Sequence, residues 1–300
     1  MDRLDGLTLF VRIVETGSFS RAADMLAIPR ATATYAIQQL EARLSTQLLE
    51  RTTRQVRPTL DGQAFYERCV AILSDIDDAE SSLRHVAANP RGTLRVDMSG
   101  THAMRIVLPH IEAFHQRYPE IMLAVSSGDR LVDLVREGVD CVIRAGHPRD
   151  STLVVRRLAL MPQVICASPA YLAAAGVLNS PGDLAQHQVV GFMSGEGVID
   201  YSIDLINGGK TESFTASGWM AVNDAENYVV SALSGAGLIQ LPRFHVEQAL
   251  REGRLVEVLE GWQSPPMPLS ILYPWRRHLS PRLRVFIDWL IDVYRQRLPE

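Results

Sequence analysis

Within residues 17–59, GSFSRAADMLAIPRATATYAIQQLEARLSTQLLERTTRQVRPT, Phe19, Ala22, Ala23 and Leu26 recur at i, i+3, i+4 and i+7 and so share one face of a short helix. Ser18, just ahead of them, is placed to accept hydrogen bonds from the first free amides. The helix stops near Ala27, and after a brief turn Ala33, Ile37, Leu40 and Leu44 repeat the pattern. Pro29 opens that second run, where a first helical turn tolerates a missing N–H. Two helices this short bury their apolar faces only by crossing, and Ala22 and Ala23 supply the small side chains that a steep crossing needs. The spacing predicts a helix-turn-helix.

The outward face of the second helix shows Arg30, Ala31, Thr34, Tyr35 and Gln38, with Thr32 beside them. Guanidinium, hydroxyl, amide and small apolar groups are the types that read base edges in a major groove. An ordinary surface helix carries more Glu and Lys. The following LLERTTRQVRPT has strand-like ends around a polar turn and repeats arginine at Arg51, Arg54 and Arg57, with Thr53 at the tip. A basic hairpin beside such a helix is a wing, whose charges add affinity and salt sensitivity rather than sequence choice. Ser18, the named positions on the second helix and Arg51, Thr53, Arg54 and Arg57 are therefore the expected contacts to double-stranded DNA.

Bulk charge argues weakly against nucleic acid, since the chain carries a net charge of −4. Divided by region, it does not: residues 1–60 hold 8 arginines against 6 acids, whereas 61–90 hold 2 arginines against 6 acids. A chain of 300 residues at 47% hydrophobic composition can bury one large core or two to three smaller ones. Cys69, Cys141 and Cys166 lie far apart with no His at ligand spacing, so neither a disulfide framework nor a metal site is expected, and no cofactor is called for. No apolar run reaches the roughly 20 residues of a membrane helix, and the start of the chain lacks a charged-then-apolar leader, so a cytoplasmic protein is expected.

Taken in order, Leu4, Leu7, Phe10, Val11 and Val14 form a third helix that supports the other two, making residues 1–59 one winged domain. A long helix is predicted over 60–88, capped by Thr59. Along it Phe65, Cys69, Ile72, Ile76, Ala79, Leu83 and Val86 alternate spacings of four and three, a heptad pattern that wants a partner helix. Packing on its own chain is the plainer alternative. Acidic residues on the other faces, and the specificity a small head gains by pairing across a two-fold operator, favour a dimer. Residues 89–92, Asn-Pro-Arg-Gly, read as a hinge.

Beyond Gly92 short apolar runs alternate with helical patterns: TLRVDM, a helix carrying Val107, Ile111, Phe114 and Tyr118, IMLAV, a helix at LVDLVREG, and DCVIRA. This predicts α/β architecture with a parallel sheet covered on both faces. A second unit follows from QVICAS through VVGFM, DAENYVVSAL, GLIQLP and the helix RFHVEQALREG, and the chain ends with LSILYPW and a helix over 281–297.

The order GSF, AA, L, IQQLE, LLERT, a basic turn and PT, starting near residue 16, resembles the LysR-type transcriptional regulators. The resemblance spans head and chain architecture alike. It departs from the family at Pro29, Thr34 and Tyr35, where members commonly carry a Ser and a Ser-Arg pair. Thr34 keeps a hydroxyl and Tyr35 replaces a cation by a phenol, so the operator should differ. The resemblance implies a winged helix-turn-helix, a linker helix, and a two-lobed effector domain over 93–300 resembling periplasmic binding proteins. Lobe I would take about 93–161 and 267–300, lobe II about 162–266, with crossings near 160–164 and 264–268. It also implies a homo-oligomer, a dimer through the linker helix and a tetramer beyond it.

Ligands in α/β sheets sit beyond the C-terminal ends of strands. Those ends carry Ser99, Gly100, Thr101 and His102, then Ser127, then Arg144 and Gly146, and in the second unit Met193, Asn223 and Gln240. In similar regulators these loops receive the inducer. Their hydroxyls and amides, with few acids, point to a small organic anion. Each also has a plainer role: Ser and Thr before a helix more often cap it, His102 can be merely a helix-start histidine, and Arg144 can hold an internal Asp. Against an enzyme stands the lack of GxSxG, HExxH, P-loop or GxGxxG signatures; a free solute-binding protein is opposed by the N-terminal domain.

Overall fold

The computed structural model describes residues 2–51, 56–83, 90–128, 134, 138–147, 152–194, 197–275 and 279–298. Helix α1 (Arg3–Thr16) begins with Asp2 and Asp5 capping each other's backbone and ends at Gly17, whose left-handed φ of 62° lets its N–H close on Ile13. Helix α2 (Phe19–Met25) is capped by Ser18, as its position predicts. The turn that follows bends through Ala27 at φ 51° into α3 (Arg30–Leu44). Pro29 takes the cap position, one residue ahead of the place expected for it. Leu9, Phe10, Ile13, Ala22, Ala33 and Ile37 are sealed from solvent, and Ala22 and Ala23 sit at the crossing. Leu4 and Leu44, expected on the buried faces, are exposed because they lie at helix ends beyond the crossing.

Strands β1 (Leu49–Arg51) and β2 (Val56–Pro58) pair antiparallel, with Glu50 opposite Arg57. Their base is bolted to both neighbouring helices. Glu41 Oε1 accepts the amides of Leu48 and Leu49 at 2.8 and 3.0 Å. Thr59 Oγ1 donates to the Gln47 carbonyl at 2.8 Å and accepts from the Gly62 amide at 2.9 Å, capping α4 (Leu60–Leu83). Gly62 comes so close to the wing that an added Cβ would lie 1.9 Å from the Leu48 carbonyl oxygen.

After α4, strand β3 (Gly92–Met98) leads into a continuous helical passage. It comprises α5 (Gly100–His102), a π turn over Ala103–Val107, a tighter turn over Leu108–His110 and α6 (Ile111–Arg117). Strands β4 (Ile121–Ser127) and β5 (Cys141–Ala145) flank β3 in parallel. The predicted LVDLVREG helix lies almost wholly outside the described residues. Strand β6 (Leu153–Met161), which the apolar runs did not single out, completes this side.

The chain then crosses at Pro162 into the second lobe: β7 (Gln163–Ala167), α7 (Pro169–Ala175), β8 (Gly191–Met193), β9 (Ile199–Asp200), the hairpin β10 (Ser202–Asn207) with β11 (Lys210–Thr215), β12 (Ala221–Val222), α8 (Ala225–Leu233), β13 (Ile239–Pro242), α9 (Glu247–Arg251) and β14 (Val256–Glu257). Strand β15 (Met267–Pro274) and helix α10 (Pro281–Arg297) return to the first lobe. Its sheet runs β4-β3-β5-β15-β6, parallel at β4, β3 and β5 but antiparallel from β15 on. The expected parallel sheet holds for β4, β3 and β5, while β15 runs antiparallel to both its neighbours because it returns from the other lobe rather than by a crossover helix. The predicted RFHVEQALREG helix is broken at Val246 into a 3-10 turn and α9.

Helix α10 lays Leu283, Phe286, Ile287, Leu290, Val293 and Tyr294 into the lobe I core. Phe286 meets Phe114 edge-on, ring centroids 5.6 Å apart. Head and lobe I also meet: a pocket of about 130 Å3 is lined by Arg12 and Glu15 of α1, Val70 and Leu73 of α4, Arg95 of β3 and Arg282 of α10.

Replacing Gly62 by Ala adds about 1 kcal/mol of helix propensity, yet forces a methyl into the Leu48 backbone, an overpacking cost of about 1–3 kcal/mol. The Gly62→Ala variant is expected to unfold at lower urea concentration than wild type; a higher midpoint would show that the helix can shift freely away from the wing.

Candidate functional site

On α3, Ala33, Ile37 and Leu40 face the core while Arg30, Ala31, Thr32 and Gln38 are exposed and Tyr35 stands out at 63% exposure. Thr34 is half-buried. Because Pro29 offers no side-chain acceptor, the first amides of this 15-residue helix have no side-chain cap. Such amides suit an anionic oxygen. Ser18, counted among the expected DNA contacts, has its hydroxyl on the Arg21 amide, which gives it a capping job. On the wing Arg57 is exposed. The Arg51 side chain, Thr53 and Arg54 lie outside the described residues.

The heptad pattern divides into two halves. Phe65 packs on Phe10 of the same chain with ring centroids 5.5 Å apart, and Cys69 is fully buried in the head's core. These two positions, expected at a dimer contact, are consumed at home because α1 lies across the first turns of α4. Burial pushes the Cys69 thiol up to about 12, which leaves it a small hydrophobe rather than a nucleophile. Ile72 is 46% exposed and Ile76 half-buried. The side chains of Ala79 and Leu83, and Val86 as a whole, lie outside the described residues.

In lobe I the strand ends gather as expected, but several polar groups are already engaged. Asp97, 5% exposed on β3, accepts the Ser126 hydroxyl at 2.6 Å and pairs with Arg144 of β5. Arg144, for which the sequence leaves a ligand carboxylate or an internal Asp, thus holds the internal Asp. Gly146 takes a left-handed φ of 91° and donates to Pro268 at 2.8 Å, so it shapes the crossing. Ser127 is exposed, and Ser99 is half-buried without a side-chain cap bond.

In lobe II, Met193 is half-buried opposite Ile199, and Asn223 is exposed. Gln240 is a correction. Its amide donates to the Asp204 carbonyl at 2.7 Å and to Ser264 Oγ at 2.9 Å, and its oxygen accepts the Asp204 amide at 2.8 Å. All three bonds tie β13 to the hairpin and the return crossing, so the group serves the lobe's frame.

His102 is likewise turned inward. It is 2% exposed and forms a hydrogen bond with the Tyr294 hydroxyl at 3.1 Å. Its ring lies 5.2 Å from Phe244 and 6.0 Å, edge-on, from His245, both of lobe II. Burial lowers the His102 pKa to about 4. Desolvation, and then the neighbouring His102 and Arg105 charges, lower His245 to about 3. A ring so buried and so hard to charge is a packing element between lobes, not a group that meets an anion.

What the structure does bring together at the interlobe face is Thr101 and Arg105 of lobe I with Glu226 of lobe II, the second residue of α8. Arg105 Nη2 lies 2.8 Å from Glu226 Oε1 and 3.1 Å from Oε2, and Arg105 Nη1 donates to the His245 carbonyl at 3.0 Å. Thr101 Oγ1 reaches Glu226 Oε1 at 3.4 Å. Neither Arg105 nor Glu226 was singled out from sequence; each looks like an ordinary charged residue on an amphipathic helix, and only the crossing of two lobes makes them neighbours.

Residues 4–63 match the family of bacterial regulatory helix-turn-helix proteins of the lysR type, and residues 87–295 match the LysR substrate binding domain. The chain is 39% identical to the HTH-type transcriptional regulator YhjC of Escherichia coli K12 over 99% of its own length and 100% of that protein. An HTH-type transcriptional repressor of Pseudomonas aeruginosa is 36% identical, covering 98% of this chain and 93% of its own. The solved structure of CrgA, a LysR-type regulator from Neisseria meningitidis, aligns over 96% of this chain and 97% of that one with a TM-score of 0.59 at 32% identity.

Because both buried imidazoles titrate below the 6.5 of a free histidine, the unfolded chain takes up their protons first on acidification. Their contribution is therefore complete above about pH 6.5 and is lost as pH falls towards 4, at about 1.4 kcal/mol per pH unit for each group. Urea unfolding between pH 7 and 5 should show a shallower acid limb in His102→Leu and in His245→Leu than in wild type. Identical limbs would mean that both rings charge in place.

Proposed function

The chain belongs to the LysR family of transcriptional regulators, and from that membership we propose which of its residues grip DNA, which meet the effector and how the two are joined. It is a DNA-binding regulator with an effector-binding domain, built as a winged helix-turn-helix ahead of two α/β lobes. On this plan residues 1–59 are the head, 60–88 the linker helix, 89–92 the hinge and 93–300 the effector domain.

The observation that carries the DNA assignment is the two-sided character of α3. One side is locked into the head's core and the other offers Arg30, Ala31, Thr32, Tyr35 and Gln38 to solvent. Rigid backing matters because base readout needs side chains held to a few tenths of an ångström, and the Glu41 bonds to the wing add that rigidity. The uncapped amides of α3 take a backbone phosphate and Arg57 a second one. The half-buried Thr34 contacts DNA at the edge of that face. With a phenol at Tyr35, the operator departs from one read by an arginine there.

The head works as a pair. With Phe65 and Cys69 consumed within the chain, self-association rests on the part of α4 from Ile72 onward, and a tetramer is built from such dimers. The effector is a small organic anion that enters between the lobes at Ser99, Thr101, Ser127, Met193 and Asn223. The protein acts by binding rather than catalysis, in the cytoplasm, where its DNA lies. An effector changes output only by favouring one lobe arrangement over another.

Gel retardation with the DNA upstream of its own gene is expected to show a specific complex. Arg30→Ala or Gln38→Ala should each weaken it by about tenfold, the worth of one base contact. Arg57→Gln should lower the slope of log affinity against log salt by about 0.9. If none of the three variants alters retardation, α3 and the wing are not the DNA surface.

Ile72→Asp combined with Ile76→Asp should give a folded monomer by analytical ultracentrifugation that no longer holds a two-fold operator. A variant that stays dimeric and binds DNA as wild type removes the linker helix as the dimer contact.

A further inference from the structure

The interlobe contact of Glu226 has the chemistry of a bound ligand. A carboxylate from lobe II reaches across to lobe I and lies on a guanidinium, Arg105, and a hydroxyl, Thr101, beyond the C-terminal end of β3. That is where α/β folds receive small anions. The Arg105 and Glu226 side chains are 35% and 37% exposed, so a dissolved anion can reach them. An ion pair left in water is worth little and exchanges readily.

We propose that Glu226 is an internal stand-in for the effector's carboxylate: without effector it occupies the Thr101–Arg105 site, and an incoming organic acid takes its place. The inference rests on the organic-anion reading of the cleft. Arg105 is suited to both occupants, because its second nitrogen is held by the His245 carbonyl and stays in position when Glu226 leaves. The imidazoles beside it, His102 and His245, are buried and resist protonation, and so add no further positive charge. The Tyr294 hydroxyl is bonded to His102. One guanidinium faces one carboxylate at a time, and binding and release of the lobe contact become a single exchange.

The competition has a readable size. A tethered, solvent-reached carboxylate lowers apparent ligand affinity by about fivefold if its ion pair is at the strong end of exposed pairs. The full-length protein is titrated by calorimetry with benzoate, succinate and, as the uncharged control, benzamide, in wild type, Glu226→Gln and Arg105→Gln. Hydrogen exchange of residues 99–107 and 225–230 is followed without ligand in the same proteins.

In the expected result, both variants exchange faster than wild type in these two segments. At least one acid binds Glu226→Gln about fivefold more tightly than wild type and loses binding in Arg105→Gln, while benzamide is indifferent to the Glu226 change. Unchanged exchange in both variants overturns the proposal, since the contact would then hold nothing. So does an acid that binds wild type and is no tighter on Glu226→Gln, an outcome that leaves the organic-anion reading standing. If exchange rises but neither acid binds any of the proteins, the anion reading fails and takes the stand-in with it.

Discussion

Strand β15 is hydrogen-bonded along both edges, to β5 on one side and β6 on the other, and the freedom of the two lobes depends on that insertion. The chain leaves the first lobe at Pro162 and comes back just before Met267, so the second lobe hangs on two short strands side by side. Gln163 Nε2 donates across to Pro265 at 2.8 Å, and Arg243 N to Pro162 at 2.9 Å, which binds the crossings into one narrow joint. Such a joint can bend but cannot slide. The register of β15 shifts between Leu269 and Ser270, next to the joint, while Leu269 and Ile271 remain fully buried in the lobe I core.

Periodicity carried much of the fold on the page. The helix faces of α2 and α3, the caps at Ser18 and Thr59, the parallel trio of β3, β4 and β5 and the closing α10 are all local patterns, each stated by residues a few positions apart. What escaped was what depends on distant partners. Strand β6 reads as an undistinguished apolar run until β15 supplies its neighbour, and the hairpin of β10 and β11 is placed by Gln240, 36 positions beyond its Asp204. Along α4 the heptad spacing put Phe65 and Cys69 on an apolar side but did not say what covers them. Phe65 and Cys69 meet α1, a competitor that spacing cannot see.

The same distinction separates the legible from the hidden parts of the site. Exposed positions on α3 follow from the helix period alone, and of those named from sequence only Thr34 is half-buried. In the cleft, strand ends located the region but not the free groups. Asp97, a charge inside an apolar strand, gave no hint that it would absorb both Ser126 and Arg144, and His102 could not be known to meet Tyr294 from 192 positions away in the chain. Polar residues at strand ends are offered to solvent in sequence and then divided, in three dimensions, between holding the frame and meeting a ligand.

A regulator of this build must convert the arrival of a small solute into a difference between two shapes, and equal affinity for both shapes converts nothing. Contacts that span the lobes are the ones whose energy depends on the angle, and among the described residues two groups of them differ in kind. In the ring cluster His102, His245 and Tyr294 are buried and Phe244 half-buried, and burial keeps the two imidazoles hard to charge. The ion pair of Arg105 with Glu226 is wet and charged. An exposed ion pair of this kind is worth little and exchanges readily, whereas packed rings give up contact area when they part.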